Sequence, residues 1–267
     1  MSDYLYTDQM NRKIQLDTRP IRIISLVPSQ TEMLYDFGLD EEIVGQTKFC
    51  IHPNEKHQTK TIVGGTKNID FETIAKLNPD LIIGNKEEND QKQMEYLMQH
   101  YKVWMSDINN LNDAYEMIDL LGKITGKPAE ADQIIYQIKY VFKDLENYLH
   151  GLIDYKKCAY FIWRKPFMVA GNNTFINYLL EYLKFNNVFL NDIERYPVTN
   201  AAILAEKNPE IVFLSSEPYP FKQKHIDEIQ HILPNAKILL VDGEMFSWYG
   251  SRLIKSAPYF KRLLSML

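Results

Sequence analysis

The stretch that decides the fold is residues 128–150, PAEADQIIYQIKYVFKDLENYLH. Pro128 suits the first position of a helix, because its missing N–H would have no partner within the helix there. Gly151, just beyond, supplies a stop. The apolar residues between them recur with helical spacing and form one stripe: Ala131, Ile134, Ile135, Ile138, Val141, Phe142, Leu145 and Leu149. The pattern predicts a helix of roughly 34 Å, about as long as a small domain is wide.

The segments on the two sides of this helix look like one unit that occurs twice. ETIAKLNPDLIIGNKEEN (72–89) precedes the helix, and ILAEKNPEIVFLSSEPY (203–219) follows it. Both read as a helix ending at Asn-Pro-acid, an apolar run, and a polar segment that contains Glu. Each lies in an alternation of strands and helices, which is typical of parallel sheets covered by helices. The sequence therefore predicts an α/β fold: two Rossmann-like lobes with mainly parallel sheets, joined by a single long α-helix.

The same pattern gives domain limits. Residues 1–20 are expected to form an N-terminal hairpin or edge segment, and residues 21–127 an N-terminal α/β lobe. Residues 128–150 are the linking helix, and residues 151–267 are expected to form the C-terminal α/β lobe.

Composition excludes several classes of function. The 267 residues are 45% hydrophobic, and the formal net charge is −5 without a basic block, so we expect no nucleic-acid partner. No apolar run reaches the length of a membrane span. We also expect the protein to be a monomer. The first residues are polar, with no basic segment followed by an apolar one, which favours a cytoplasmic location. A periplasmic or lipid-anchored location is the alternative if a leader has been removed.

Candidate ligand-binding residues follow the predicted strands. In open α/β sheets, ligands bind outside the carboxyl ends of the strands, and we call the loops at these ends the carboxyl edge. In the first lobe this edge holds Phe49, Cys50, His52, Thr66, Lys67, Asn85, Lys86, Glu87 and Glu88. In the second lobe it holds Trp163, Lys165, Phe167, Glu217, Tyr219, Phe221, Asp242, Glu244, Met245, Phe246, Trp248, Tyr249 and Arg252.

The second lobe combines aromatic and charged residues after three predicted strands. If these aromatic residues only covered the strand ends, they would not need charged residues beside them. Burying those charged residues costs free energy. The combination suits a cleft that binds a large ligand with flat and polar parts.

Cys50 and His52 are candidates for metal ligands or for a reactive pair. Residues i and i+2 of an extended segment point to one face, so the thiol and the imidazole could bind one metal ion. Two ligands do not close a metal site, however, and no third group is apparent that would orient a Cys–His nucleophile. If the metal of a bound ligand has an open position, Cys50 and His52 are the candidate axial ligands. No Walker, G-x-S-x-G or H-E-x-x-H motif occurs.

Several motifs resemble the cobalamin- and siderophore-binding proteins of bacterial ABC importers, the helical-backbone metal receptors. They are TDQMNRKIQL, RIISLVPSQTEMLYDFGL, VGGTKNIDFETIAKLNPDLIIGNKEEN, the long helix and DGEMFSWYGSRL. The resemblance covers nearly the whole chain. It implies a ligand held in the cleft between two lobes and adds Tyr196 to the residues that line this cleft.

The resemblance does not imply cobalamin in particular. Cobalamin binders of this type have tryptophan where this chain has Thr66, Asn85 and Tyr196. The expected ligand is therefore a corrinoid, a ferric siderophore or other metal chelate, or haem, with no obligatory cofactor.

The resemblance also implies docking to an ABC permease through one surface Glu on each lobe. Glu72 matches the first of these positions, whereas Ala202 stands at the second. Together with the expected cytoplasmic location, this predicts a protein that works without a permease.

These observations predict a binding protein, not an enzyme, for a metal-containing or metal-chelating small molecule, either in transport or as a cytoplasmic relative. The alternative is an enzyme or cofactor-maturation factor that uses Cys50, Glu87 or Glu217 in the same cleft.

Overall fold

The structure is a computed structural model that describes residues 4–151 and 155–267. Residues 1–3 of the predicted N-terminal segment and residues 152–154 of the predicted second lobe lie outside the described residues. The chain forms two compact units. Unit 1 comprises Met1–Tyr140 and Trp248–Ile254, and unit 2 comprises Val141–Ser247 and Lys255–Leu267.

Unit 1 begins with the predicted hairpin, β1 (Leu5–Thr7) and β2 (Lys13–Gln15), which pair antiparallel. Its sheet contains β3 (Ile23–Ser25), β4 (Ile43–Gln46), β5 (Thr61–Ile62), β6 (Leu81–Asn85) and β7 (Val103–Ser106). The strand order is β5-β4-β3-β6-β7, and every neighbouring pair is parallel. The helices of this part are α1 (Pro28–Asp36), α2 (Asn54–His57), α3 (Phe71–Leu77), α4 (Gln91–His100) and α5 (Leu111–Thr125).

The long predicted helix is α6 (Pro128–Leu149). Its apolar stripe is buried, with Ile138 and Leu145 fully inaccessible, whereas Tyr136 and Tyr140 on the opposite face are exposed. The division between the units falls within this helix, at residues 140 and 141. Within the described ranges, no helix combines the length and the apolar character that a membrane-spanning segment needs.

Unit 2 contains β8 (Lys156–Trp163), β9 (Phe167–Val169), β10 (Phe185–Asn187), β11 (Val198–Thr199), β12 (Ile211–Ser215) and β13 (Lys237–Val241). β12 lies between β8 and β13 and is parallel to both. β9 is antiparallel to β8, because the short turn between Trp163 and Phe167 leaves no room for the crossover that a parallel pair needs. The helices are α7 (Phe175–Tyr182), α8 (Ala201–Lys207), α9 (Gln223–Ile232), α10 (Glu244–Ser247) and α11 (Leu253–Ser265).

Each unit has its own hydrophobic core over its sheet. In unit 1, Ile24, Ile82 and Leu97 belong to one cluster of buried residues. In unit 2, Phe161 and Val212 belong to another. The strand pairing and the helices given above confirm the predicted α/β class with mainly parallel sheets.

The internal repeat extends to the caps of the helices. α3 and α8 each have seven residues, and their N-caps, Asp70 and Asn200, accept a bond from a backbone N–H in the first turn. Both helices end at an asparagine with left-handed backbone, Asn78 at φ 44° and Asn208 at φ 45°. Glu72 and Ala202 are then the second residues of matching helices, and both are exposed.

Candidate functional site

The predicted ligand-binding residues divide by exposure. Five are exposed: Phe49, Lys67, Lys86, Trp163 and Lys165. Ten are half-buried: His52, Glu87, Glu88, Phe167, Tyr196, Glu217, Tyr219, Asp242, Glu244 and Met245. Eight are buried: Cys50, Thr66, Asn85, Phe221, Phe246, Trp248, Tyr249 and Arg252. The side chains of the first two groups have surface that a ligand can reach, and those of the third group have little or none.

Asn85 holds the loop that follows β6. Its side-chain oxygen accepts bonds from the N–H groups of Glu87 (2.8 Å) and Glu88 (3.0 Å), and its amide donates to Ser106 Oγ (2.9 Å). The Asn89 side chain in turn accepts from Asn85 N–H at 2.8 Å and donates to Thr66 O at 3.1 Å. Asn85 is 2% exposed, so its hydrogen-bonding groups are used within unit 1. The loop presents Lys86, Glu87 and Glu88 instead.

The cations near this loop are partly committed. Lys67 Nζ donates to Glu87 O at 2.6 Å and to Asn89 O at 3.3 Å, and Lys86 forms an ion pair with Asp107 at 2.5 Å. The partners of Lys67 are neutral backbone carbonyl groups, which do not cancel its positive charge. Lys67 can therefore attract an anionic group of a ligand.

Phe49 is the exposed aromatic residue at the carboxyl edge of unit 1. Its side chain is 49% exposed, and its ring lies 3.1 Å from the place that a Gly65 Cβ would occupy. A side chain at residue 65 would displace the ring, so glycine allows the close approach. Lys48 Nζ lies 5.1 Å from the Phe49 ring centroid, within cation–π range.

Cys50 does not fit the predicted roles of axial ligand or nucleophile. It is fully buried, and its Sγ lies 3.1 Å from both Thr31 Oγ1 and Thr47 Oγ1. Burial raises the pKa of the Cys50 thiol, which disfavours the thiolate that metal binding and nucleophilic attack require. His52 is half-buried, with its ring edge-on to Trp248 at 5.4 Å. In the described part of the chain, no group of three His, Cys, Asp or Glu residues could hold a metal ion.

Arg252 pairs with Glu32, a residue that the sequence analysis did not select. Its Nε and Nη2 each donate to one Glu32 carboxylate oxygen at 2.8 Å, and about 7% and 8% of the two side chains is exposed. Trp248 lies on the guanidinium, with 4.6 Å from Cζ to the ring. Trp248 and Arg252 were predicted as ligand contacts of the second lobe. They lie in unit 1 and are buried, so their contacts indicate a structural role.

In unit 2, the aromatic residues form an inner and an outer layer. Phe221 is 5% exposed and packs on Phe161, with ring centroids 6.3 Å apart. Phe246 is fully buried. Trp163 is 40% exposed and meets Tyr219 edge-to-face at 5.8 Å. Trp163 and Tyr219 thus present aromatic surface at this edge, while Phe221 and Phe246 belong to the core.

The loops after β12 and β13 are closely joined. A Cβ on Gly243 would lie 2.3 Å from Ser215 Oγ, so only glycine permits this approach. Ser247 Oγ donates to Glu217 Oε1 at 2.7 Å, and Glu244 N–H donates to Asp242 Oδ1 at 3.1 Å. These bonds orient the acidic residues of the loops.

His225 is a residue that the sequence analysis did not select, and the structure buries it behind Tyr219. Its Nε2 lies 3.4 Å from Tyr219 Oη, and only 2% of the residue is exposed. The spacing with Ile229, four residues later on α9, was the available signal, because i and i+4 share one helix face.

Two α/β units with polar and aromatic residues in the loops after their strands are typical of proteins that bind small molecules at the carboxyl ends of the strands. The family model described as periplasmic binding protein matches residues 23–233. This match spans most of the chain, which therefore belongs to that family.

Individual relatives agree with the family. An uncharacterized ABC transporter substrate-binding lipoprotein of Bacillus subtilis is 23% identical over 93% of this chain and 81% of its own length. The periplasmic vitamin B12 binding protein of Vibrio cholerae superposes with a TM-score of 0.80 at 19% identity, covering 93% of this chain and 98% of that chain. A periplasmic heme binding protein of Pseudomonas aeruginosa superposes with a TM-score of 0.78 at 19% identity, covering 91% and 92%.

These relatives correct one prediction. The expected cytoplasmic location is wrong, because the family and its relatives are periplasmic proteins or lipoproteins, which points to a location outside the cytoplasm. The expectation of a protein that works without a permease relied on that location and on Ala202, so one of its two grounds is removed. Substrate-binding proteins of ABC importers bind small molecules and work with permeases.

Proposed function

We propose that this chain is the substrate-binding protein of an ABC importer for a metal-containing or metal-chelating small molecule. Membership of the family carries the proposal. The vitamin B12 and heme binding proteins that share its fold support a metal complex as ligand. Unit 1 offers the exposed ring of Phe49 and the positive charge of Lys67. Unit 2, taken by itself, offers the exposed ring of Trp163 and the positive charge of Lys165.

We propose binding without turnover. The enzyme alternative relied on Cys50, Glu87 and Glu217 as reacting groups. Cys50 is inaccessible, and Glu217 accepts a hydrogen bond from Ser247. The predicted position of the ligand between two lobes stays a prediction.

The test uses haem, cyanocobalamin and a ferric catecholate, followed by absorbance and tryptophan fluorescence. Trp104 and Trp248 are buried and Trp163 is exposed, so Trp163 is the tryptophan that a ligand can contact directly. Because these coloured ligands also quench distant tryptophans by energy transfer, absorbance gives the affinity, and Trp163→Phe should lower the total quenching without abolishing it. If none of the three probes binds, the proposed function is wrong.

Docking to the permease is proposed through Glu72 on α3. Its matching position on α8 is Ala202, so the two units present different surfaces to a partner. In liposomes with the cognate importer, Glu72→Ala should lower ligand-stimulated ATP hydrolysis, and Ala202→Glu should raise it. Ligand affinity of both variants should equal that of the wild type, and an unchanged ATPase rate in both would exclude this docking mode.

A further inference from the structure

A cluster of side chains at the carboxyl edge of unit 2 surrounds the Tyr219 hydroxyl. We call Trp163, Arg164, Tyr219, His225 and Glu228 the Tyr219 cluster. Because β8 and β12 are parallel neighbours, the loops that follow them meet, and Tyr219 N–H donates to Ile162 O at 3.3 Å. The guanidinium of Arg164 makes two bonds to the Glu228 carboxylate, at 2.8 and 3.0 Å.

The hydrogen bonds of His225 determine which ring nitrogen carries a proton. Lys222 N–H donates to His225 Nδ1 at 2.8 Å, so Nδ1 has no proton of its own. Burial, together with the positive charge of Arg164, lowers the pKa of His225, in keeping with a neutral ring. The single proton is therefore on Nε2, which faces Tyr219 Oη at 3.4 Å. His225 donates, and Tyr219 accepts.

The hydroxyl proton of Tyr219 is consequently directed away from His225. Arg164 cannot receive it, because a guanidinium has no acceptor. Among residues 4–151 and 155–267, no acceptor for this proton is recorded, and Tyr219 is only half-buried. The hydroxyl can therefore donate to a molecule outside the chain.

The charge around Tyr219 favours an anion as that molecule. Lys165 is exposed, and the described part of the chain places no carboxylate within salt-bridge distance of it. Lys222 and Lys224 add positive charge, which contributes to lowering the pKa of His225. The Glu228 carboxylate is paired with Arg164.

We propose that Tyr219 is a specificity-determining residue that donates its hydroxyl proton to an anionic oxygen of the ligand. Lys165 supplies charge to the same group, and the exposed face of Trp163 covers an adjacent flat part. The inference rests on the proposed function and names the ligand class within it: a ring-containing metal complex with anionic oxygens. Carboxylates of a porphyrin and phenolate oxygens of a catechol chelate place anionic oxygens beside the flat rings. Cobalamin has neutral amides around its corrin ring, and its one anionic group, a phosphodiester, lies in the nucleotide loop away from the ring.

The test compares Tyr219→Phe and Lys165→Gln with matched controls at the opposite end of β8, Tyr155→Phe and Lys157→Gln. Haem, ferric tris-catecholate and cyanocobalamin are titrated into each purified protein. The wild type should bind haem or the catecholate at least tenfold more tightly than cyanocobalamin. The tighter of the two anions shows whether the anionic oxygens are porphyrin carboxylates or catechol phenolates. Tyr219→Phe should weaken that binding about tenfold, the scale of one hydrogen bond to a charged group. Lys165→Gln should weaken it severalfold, and both controls should match the wild type.

The outcomes separate this inference from the proposed function. If no probe binds the wild type, the proposed function fails. If cyanocobalamin binds as tightly as the anions, or if Tyr219→Phe leaves anion affinity unchanged, the function stands and this inference is overturned. Nitrogen-15 NMR of the histidines provides a separate readout, in which His225 should carry its proton on Nε2. A proton on Nδ1 would overturn the orientation assigned to Tyr219.

Discussion

At the scale of single residues, the contact between Glu32 and Arg252 joins two parts of unit 1 that are distant in sequence. A buried carboxylate is costly unless a cation and hydrogen bonds compensate for its lost hydration. Arg252 provides both, and Trp248 covers the guanidinium. The segment that contains residues 248–254 is therefore held by a specific ion pair as well as by apolar packing.

Arg252→Met should lower the free energy of unfolding by about 3–5 kcal/mol, because it removes the cation that compensates for the burial of Glu32. Urea unfolding followed by circular dichroism measures the change. Lys143→Met, in the exposed pair with Glu146, serves as the control and should have little effect. The double variant Glu32→Leu/Arg252→Met should regain most of the lost stability, and a double variant as unstable as Arg252→Met would contradict this account.

The two cysteines should be unreactive in the folded protein. Both are fully buried, and burial raises the pKa of each thiol. At pH 8, a thiol reagent such as DTNB should label neither in the native state and both in denaturant. Since the unfolded thiols ionise above about pH 8.5 and the folded ones do not, the stability that they contribute is present below that pH and lost as the pH rises. Rapid labelling of native Cys158→Ala would show that Cys50 is accessible.

At the scale of elements, α3 and α8 show how one short helix is used twice. Each begins at a polar N-cap and ends at an asparagine with positive φ, and proline follows directly. A left-handed residue with a Cβ is strained, and glycine is not. Asparagine is tolerated there better than most other residues.

Replacing Asn78 or Asn208 by Ala should lower the free energy of unfolding by about 1 kcal/mol, and replacement by Gly should leave it unchanged or raise it. The reason is that Ala retains the left-handed strain and lacks the local hydrogen bonding of Asn. Chemical denaturation of the four single variants tests the prediction. Equal effects at the two positions are expected from the matching φ values of 44° and 45°. Gly variants less stable than the Ala variants would contradict this account, because neither has the asparagine side chain and only Ala is strained at positive φ.

These elements also show how much of the fold could be predicted from the sequence. Periodicity identified α6 to within a residue, and the Asn-Pro-acid steps identified both α3–β6 and α8–β12. The apolar run predicted after the second of these steps is β12 (Ile211–Ser215). Local patterns succeed here because each element contains its own apolar spacing and its own caps.

The candidate site was less predictable, because burial and pairing depend on residues far apart in the chain. Arg252 is 220 positions from Glu32, and no local pattern links the two. Asn85 follows a strand as a ligand contact would, yet its bonds to Glu87, Glu88 and Ser106 make it part of the scaffold. Position at the carboxyl edge could be predicted, whereas the direction of each side chain could not.

At the scale of the whole molecule, the chain builds two α/β units from one repeated plan and then differentiates them. The five-stranded sheet of unit 1 is entirely parallel, and the sheet of unit 2 adds the antiparallel strands β9 and β11. Exposed aromatic surface lies at Phe49 in unit 1 and at Trp163 in unit 2. The common plan supplies the scaffold, and the loops after the strands supply the differences that a ligand can recognise.

Ligand binding should stabilise the molecule by mass action, because a ligand that binds only the native state raises the free energy of unfolding by RT ln(1 + [L]/Kd). With haem as the probe at about 100 times its Kd, the expected gain is roughly 2.7 kcal/mol. Trp163→Ala should require about 5- to 150-fold more haem for the same gain, since a large side chain contributes about 1–3 kcal/mol to apolar contact. Tyr155→Ala, at the other end of β8, is the matched control and should behave as the wild type. Thermal unfolding over a haem concentration series measures the effect, and equal curves for Trp163→Ala and the wild type would place the haem elsewhere on the molecule.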